Sequence, residues 1–303
     1  MTVHFTNPVY GGSFADPQVI AVNDLYYAFA TNGPLGNVQT LKSADLVSWD
    51  QVGDALPELP AWTSPGRVWA PEVAVHGPDR FVLYYTTSDD SSGRQAVSVA
   101  VASDPKGPYV DKSSRPLVLE ADEGGSIDAS PFQDSSGQRW LYWKNDGNAI
   151  GVDTWISVSR LSPSGLTLIG EPTRLIKQTL PWEGNLVEAP YMVERDGAFH
   201  LFYSGNAFDK ASYSVGHALC ATPEGPCTKS GDPILKTSPD AAGPGHNMVL
   251  HTPTQDWFVY HAWDPAMVGT DPRGRTMWLS ELTWLDGKPT VQPPLCENGG
   301  EEG

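Results

Sequence analysis

The sequence predicts an all-β protein, a five-bladed β-propeller whose four-stranded antiparallel blades surround a central channel. Two observations predict it. A block of related residues recurs five times, about every 58 residues, and a fixed period of that length marks a repeat architecture. Between the blocks lies a second, weaker repeat rich in turn residues. Nothing in the chain offers a long helical periodicity, and 27 prolines and 30 glycines disfavour one.

The first block, "ADPQVIAVNDLYYAFAT" from Ala15, opens on a carboxylate beside a proline. A short apolar strand follows, then a turn, then a strand ending in aromatics. The same plan returns in "APEVAVHGPDRFVLYYTTS" from Ala70, "IDASPFQDSSGQRWLYWKN" from Ile127, "EAPYMVERDGAFHLFYSGN" from Glu188 and "GHNMVLHTPTQDWFVYHAW" from Gly245. The weaker segments, such as "SADLVSWDQVG" from Ser43 and "ATPEGPCTKSG" from Ala221, read as outer hairpins of the same units. Each unit is then four short strands, and the chain reads as a single propeller domain over residues 1–303. Its blades start near residues 14, 70, 126, 186 and 244.

The leading polar residues are Asp16, Glu72, Asp128, Glu188 and His246, about 56 to 60 residues apart. A carboxylate at a strand start is costly to bury without a partner. In a propeller the first strand of each blade is innermost, so these residues converge on the channel mouth instead. Asp16, Asp128 and Glu188 then share one pocket. Glu72 follows its proline rather than preceding it, which reads as a structural position. Carboxylates crowded together push their protonation states apart. Glycoside hydrolysis needs that division: one protonated acid for the leaving oxygen and one ionised group on the other side. Capping of turns is the plainer reading of the same residues.

Composition narrows the partners. A net charge of −17 argues against nucleic acid and anionic membranes. No apolar run approaches the ~18 residues of a membrane span. Eleven Trp and eleven Tyr suit sugar stacking, although all-β cores use aromatics too. Cys220 and Cys227 bracket a turn-rich loop that a disulfide could close, leaving Cys296 over; reduced, buried thiols are the alternative. The disulfide reading favours a secreted protein, and a cytoplasmic one is the other option. "MTVHFTNPVYGG" shows neither the basic nor the apolar region of a signal peptide. A monomer is the plain expectation, because propeller edges are short and protected.

"FADP", "VWAPEV", "SIDASPF" and "VEAPYM", with "LYWKNDGN", "LFYSGNAF", "YSVGHALC", "GPGHN", "YHAW" and "GRTMWLSELTWLDGKP", together resemble glycoside hydrolase family 43. The resemblance runs from about Phe5 to Val291. It implies a five-bladed propeller and inversion of configuration. Asp16 is then the general base, Glu188 the general acid, and Asp128 the carboxylate that tunes and orients the acid. Base and acid should stand ~6.5–9.5 Å apart to admit a water. The resemblance also makes Arg275 a sugar-reaching arginine and places Trp69, Phe14, Phe132 and Asn206 near substrate. No cofactor is needed for chemistry; in many members a structural calcium near His246 is held largely through waters.

An oligo- or polysaccharide is the implied substrate. The absence of a β-sandwich after the propeller tilts the expectation towards an exo-acting α-L-arabinofuranosidase on arabinan or arabinoxylan. A β-D-xylosidase, a galactofuranosidase and an endo-arabinanase are the alternatives. The loops "TSPGRVWAP" and "KQTLPWEGNLVEAP", with Trp62 and Trp182 nearby, are expected to wall the pocket for exo action. A propeller lectin is the non-enzymatic reading, but a lectin would repeat its binding residues, and the five leading residues of this chain differ.

Overall fold

A computed structural model describes residues 5–293. Five sheets follow one another in chain order, each antiparallel with sequential neighbours paired. Blade 1 holds β1 (Gln18–Val22), β2 (Leu25–Ala30), β3 (Gln39–Ser43) and β4 (Asp50–Asp54). Blade 2 holds β5 (Trp69–Gly77), β6 (Arg80–Asp89) and β7 (Arg94–Ala102). Blade 3 is β8 (Ser126–Gln133), β9 (Arg139–Asn145), β10 (Trp155–Leu161) and β11 (Leu168–Lys177). Blade 4 is β12 (Val187–Arg195), β13 (Ala198–Gly205), β14 (Ser214–Cys220) and β15 (Cys227–Lys229). Blade 5 is β16 (Ala242–His251), β17 (Asp256–Trp263), β18 (Thr276–Leu285) and β19 (Lys288–Val291). The five-bladed propeller is the fold.

Blade 2 departs from the four-strand rule in its regular ladder. Its outer position is filled by the segment that follows β7, through the single bridges Val101–Val110 and Val97–Val118. That segment carries Pro105, Pro108 and Pro116, which cannot donate to a ladder. Elsewhere the hairpins are tight. Asn23-Asp24, Asp196-Gly197 and Asp286-Gly287 all have positive φ at both central positions, the backbone a two-residue antiparallel turn demands.

Most aromatics belong to the core between blades. Trp143, Tyr84, Tyr85, Tyr142 and Tyr203 are fully buried. Trp140, Tyr142, Met192, Leu201 and Tyr203 fill the space between blades 3 and 4, while Phe202, Phe258, Tyr260 and Trp278 join blades 4 and 5. Each such side chain contributes roughly 1.5–3 kcal/mol on burial. Cys220 and Cys227 are disulfide-bonded across the β14–β15 hairpin; Cys296 lies outside the described residues. No helix among them is long and apolar enough to cross a membrane.

One backbone feature places the site. Asp16, Ala70, Asp128, Ala189 and His246 all take positive φ, between 43° and 57°. There is one such residue at the inner edge of every blade. In blades 2 to 5 the β-pairing is interrupted across them, as at a bulge. A non-glycine residue held there costs on the order of 1 kcal/mol, so something must hold it. Each donates its backbone N–H to a side chain of the preceding blade. Ala70 donates to Thr31 at 2.9 Å, Asp128 to Thr86 at 3.1 Å, and Ala189 to Asp128 at 3.0 Å. His246 donates to Ser204 at 2.8 Å, and Asp16 to Nδ1 of His261 at 3.1 Å. The circle closes.

Candidate active site

These bulges correct the sequence register. The equivalent positions are Asp16, Ala70, Asp128, Ala189 and His246, so Glu72 lies two residues beyond the blade 2 position and Glu188 one residue before the blade 4 position. Glu72 is buried and accepts from Ser130 at 3.1 Å. Burial, and then the Asp128 charge, push its carboxyl well above the usual range. It does not line the pocket.

That pocket, about 400 Å³, is lined by Asp16, Asp128, Glu188, Trp69, Lys144, Asp146, Asn148, Leu186, Phe208, His246 and Arg275 among others. Its size suits one small ligand. Asp16 is the best-supported carboxylate. Arg275 Nη1 donates to Oδ1 at 2.7 Å, and Thr31 donates to Oδ2 at 2.5 Å. Burial alone would raise this carboxyl, but the Arg275 charge and then His246 outweigh it and hold it well below the ordinary value. Asp16 is therefore ionised.

Burial, followed by the charge of Arg275, pushes the His261 imidazole down to about 3, so the ring is neutral. Its Nδ1 accepts the Asp16 N–H, which puts the ring proton on Nε2. The 3.4 Å approach of Arg275 to Nε2 is then a contact rather than a bond.

Asp128 and Glu188 behave oppositely to Asp16. Burial first, with the Asp16 charge adding, pushes Asp128 up to about 7 against the pull of Lys144. Glu188 is also raised, by burial and then by Asp128, against Lys144. Tyr213 donates to its Oε1 at 2.8 Å, and Lys144 Nζ lies 3.3 Å from Oε2. Two buried carboxyls on adjacent blades are therefore both raised, each in part by its neighbour's or Asp16's charge, whereas Asp16 is lowered. The pocket thus sets an ionised carboxylate on blade 1 against two carboxyls on blades 3 and 4 that keep their protons to higher pH than usual. Blades 1 and 4 are not adjacent.

The other expected residues divide. Trp69 and Arg275 line the pocket, as does His246, whose Nδ1 lies 3.3 Å from Asp16. Phe14 does not: it is fully buried against Tyr10, and its backbone N–H anchors the Arg275 carbonyl at 2.8 Å. Phe132 lies four residues down β8 from Asp128, packed on Tyr142 and Phe199 and lining a separate cavity with His76 and Arg139. Asn206 is a turn residue with φ 74°, its amide tied to Ala207 and Trp182.

The two expected loops do supply walls, through Trp69 and Leu186, but not through the tryptophans beside them. Trp62 donates to Ser113 in a groove outside blade 2. Trp182 stacks on Tyr203 and donates to the Gly231 carbonyl. Its loop is pinned by fully buried Glu183, which accepts from Thr179, Leu180, Tyr203 and Lys229.

Sequence reasoning missed Thr31, Lys144, Asp146, Asn148, Tyr213, Phe208 and His261 as members of the site. "KNDGN" carries three of them in five residues, a polar run ending an inner-blade strand, and that was the available signal. Calcium needs several oxygen ligands. Among the described residues no group of three or more His, Cys, Asp or Glu side chains gathers to hold a metal ion, and His246 turns Nδ1 to Asp16. The side chains present do not fit a protein-built calcium site.

A pocket on the axis of a five-bladed propeller, lined by one lowered carboxyl and two raised ones, is the arrangement of a glycosidase. The chain belongs to the glycosyl hydrolases family 43, whose profile matches residues 5–289. It is 30% identical over 274 residues to the β-D-galactofuranosidase xynD of Aspergillus niger, covering 84% of this chain and 75% of that one. An extracellular exo-α-(1→5)-L-arabinofuranosidase of Streptomyces chartreusis is 28% identical, over 85% of this chain and 82% of its own. A thermostable family-43 glycoside hydrolase superposes with TM-score 0.86 at 30% identity, covering 96% of each chain. The chain spans only about half the length of some other curated relatives.

Proposed function

We propose that the protein is an exo-acting, inverting glycosidase that releases terminal α-L-arabinofuranosyl units from arabinan or arabinoxylan oligosaccharides, with β-D-xylosyl units as a second substrate. The observation that carries this is the pocket of about 400 Å³, walled by Trp69, Leu186 and Phe208, with one lowered and two raised carboxyls at its lining. A pocket of that volume takes one terminal sugar rather than the middle of a chain.

In this reading, ionised Asp16 accepts a proton from the water that attacks the anomeric carbon. Glu188 gives its proton to the leaving oxygen as the glycosidic bond breaks. Asp128 repels the charge that forms on Glu188 and so keeps the acid loaded between turnovers. Arg275, held by Asp16 and lying 4.4 Å from the Phe208 ring centroid, is presented to the sugar hydroxyls. The disulfide and the extracellular relatives support a location outside the cell.

One further observation favours a second reading. The relative at 30% identity is a β-D-galactofuranosidase, and β-D-galactofuranose shares its ring configuration with α-L-arabinofuranose. The test is side-by-side hydrolysis of nitrophenyl α-L-arabinofuranoside, β-D-xylopyranoside and β-D-galactofuranoside by the wild type and Glu188→Gln. Fastest release from the arabinofuranoside, reduced about 10²- to 10⁴-fold in the variant, supports the proposal. Fastest release from the galactofuranoside moves the assignment to the second reading. An unaffected variant removes Glu188 from the chemistry.

A further inference from the structure

Two cationic side chains line the pocket, and each serves a different carboxylate. Arg275 is the partner of Asp16. Lys144, the other, ends β9 with its side chain fully buried. Its Nζ lies 2.5 Å from Asn148 Oδ1, 3.3 Å from Glu188 Oε2 and 3.4 Å from Asp146 Oδ1. Asp146 and Asn148 come from the turn that follows β9, so one short segment builds the cation and its cradle. Burying an ammonium carries a large desolvation cost before any pairing is counted. An apolar residue would serve the strand, whose neighbour Trp143 is fully buried. The ammonium therefore needs a reason to be there.

Its place beside a proton donor is at first sight wrong, because a cation at 3.3 Å favours the carboxylate and so opposes loading of the acid. The opposition makes sense over a catalytic cycle. Glu188 starts protonated and ends ionised, its proton on the leaving oxygen and the bonding pair of the broken C–O bond on that same oxygen. Asp128 favours the first state and Lys144 the second.

We propose that Lys144 is a positioning residue for proton donation: by stabilising the Glu188 carboxylate as it forms, it sets the strength of the acid against Asp128. This rests on the reading of Glu188 as the general acid. The groups facing Glu188 are Asp128 from β8, Lys144 from β9, Tyr213 from the loop before β14 and His246 from β16. Asp146 faces the ammonium itself. All of these but Lys144 are neutral, anionic or, for His246, held down by burial, so Lys144 is the cation among them.

The test uses dinitrophenyl, nitrophenyl and phenyl α-L-arabinofuranosides, whose leaving groups need progressively more protonation. Each is assayed across the pH range with the wild type, Lys144→Met, Asp146→Asn and Glu188→Ala. Lys144→Met weakens the acid. Its kcat/KM loses about fivefold more on the phenyl glycoside than on the dinitrophenyl one. Its alkaline limb moves up by about one unit. Asp146→Asn leaves Lys144 with fewer opposing charges, so its alkaline limb moves down, and it carries the test if the methionine variant does not fold. An equal loss on all three substrates with unmoved limbs in both variants overturns the proposal and leaves Lys144 structural. Glu188→Ala separates the two levels: strong leaving-group bias there without bias in Lys144→Met sinks the Lys144 role alone, whereas no bias in Glu188→Ala sinks the acid assignment beneath it.

Discussion

Arg275 donates through Nη1 to Oδ1 of Asp16 at 2.7 Å, joining the last blade to the residue that opens the first. The pair is tethered twice, since Phe14, two residues before Asp16, donates its N–H to the Arg275 carbonyl. Arg275 is the main group holding Asp16 ionised against burial.

Arg275→Met removes that charge, so the Asp16 pKa rises. As the proposed base, Asp16 must be ionised to work, so the acidic limb of kcat/KM moves to higher pH, by about two units. The pH–rate profile checks this. An acidic limb that stays where the wild type has it would separate Arg275 from the state of Asp16.

Asp128→Asn acts on the other side of the pocket. Asp128 raises Glu188 by repulsion, so neutralising it lets Glu188, the proposed acid, lose its proton sooner. The alkaline limb then moves to lower pH, by about one unit, and kcat falls even at the optimum. Together the two variants narrow the active range from opposite ends.

Thr86→Val tests the ring of cross-blade bonds. Thr86 is fully buried and is the acceptor for the Asp128 N–H. Its loss orphans a donor in a strained residue, at a cost of about 2 kcal/mol. Urea unfolding measures it, with Thr86→Ser as the control that keeps the hydroxyl. Equal stability of the two variants would mean that the bulge at Asp128 needs no such acceptor.

The propeller was legible because its repeat is carried by residues with a local job. Asn23-Asp24 and Asp196-Gly197 turn the hairpins, and aromatic runs such as "LYYAFA" and "AFHLFY" fill the space between blades. Asp16, Asp128 and Glu188 stood out because they open strands. The cross-blade acceptors Thr31, Thr86 and Ser204 did not, because a hydroxyl at the end of a second strand looks like any β-sheet residue. Lys144 was hidden by its company: read alone, "KND" is a solvated turn. Phe132 and Asn206 are close to site residues in sequence but not in space. Four residues along β8 carry Phe132 away from the channel mouth, and the positive φ at Asn206 turns its amide back to its own loop.

In the proposed reading Asp16 delivers water and Glu188 protonates the leaving group, so hydrolysis is a single displacement at the anomeric carbon. Proton NMR of the first sugar released from an α-L-arabinofuranoside, read before the anomers equilibrate, decides whether it is. β-L-arabinofuranose should appear first, with the α anomer growing in later. An α anomer appearing first would mean a double displacement, and Asp16 could not then be the general base.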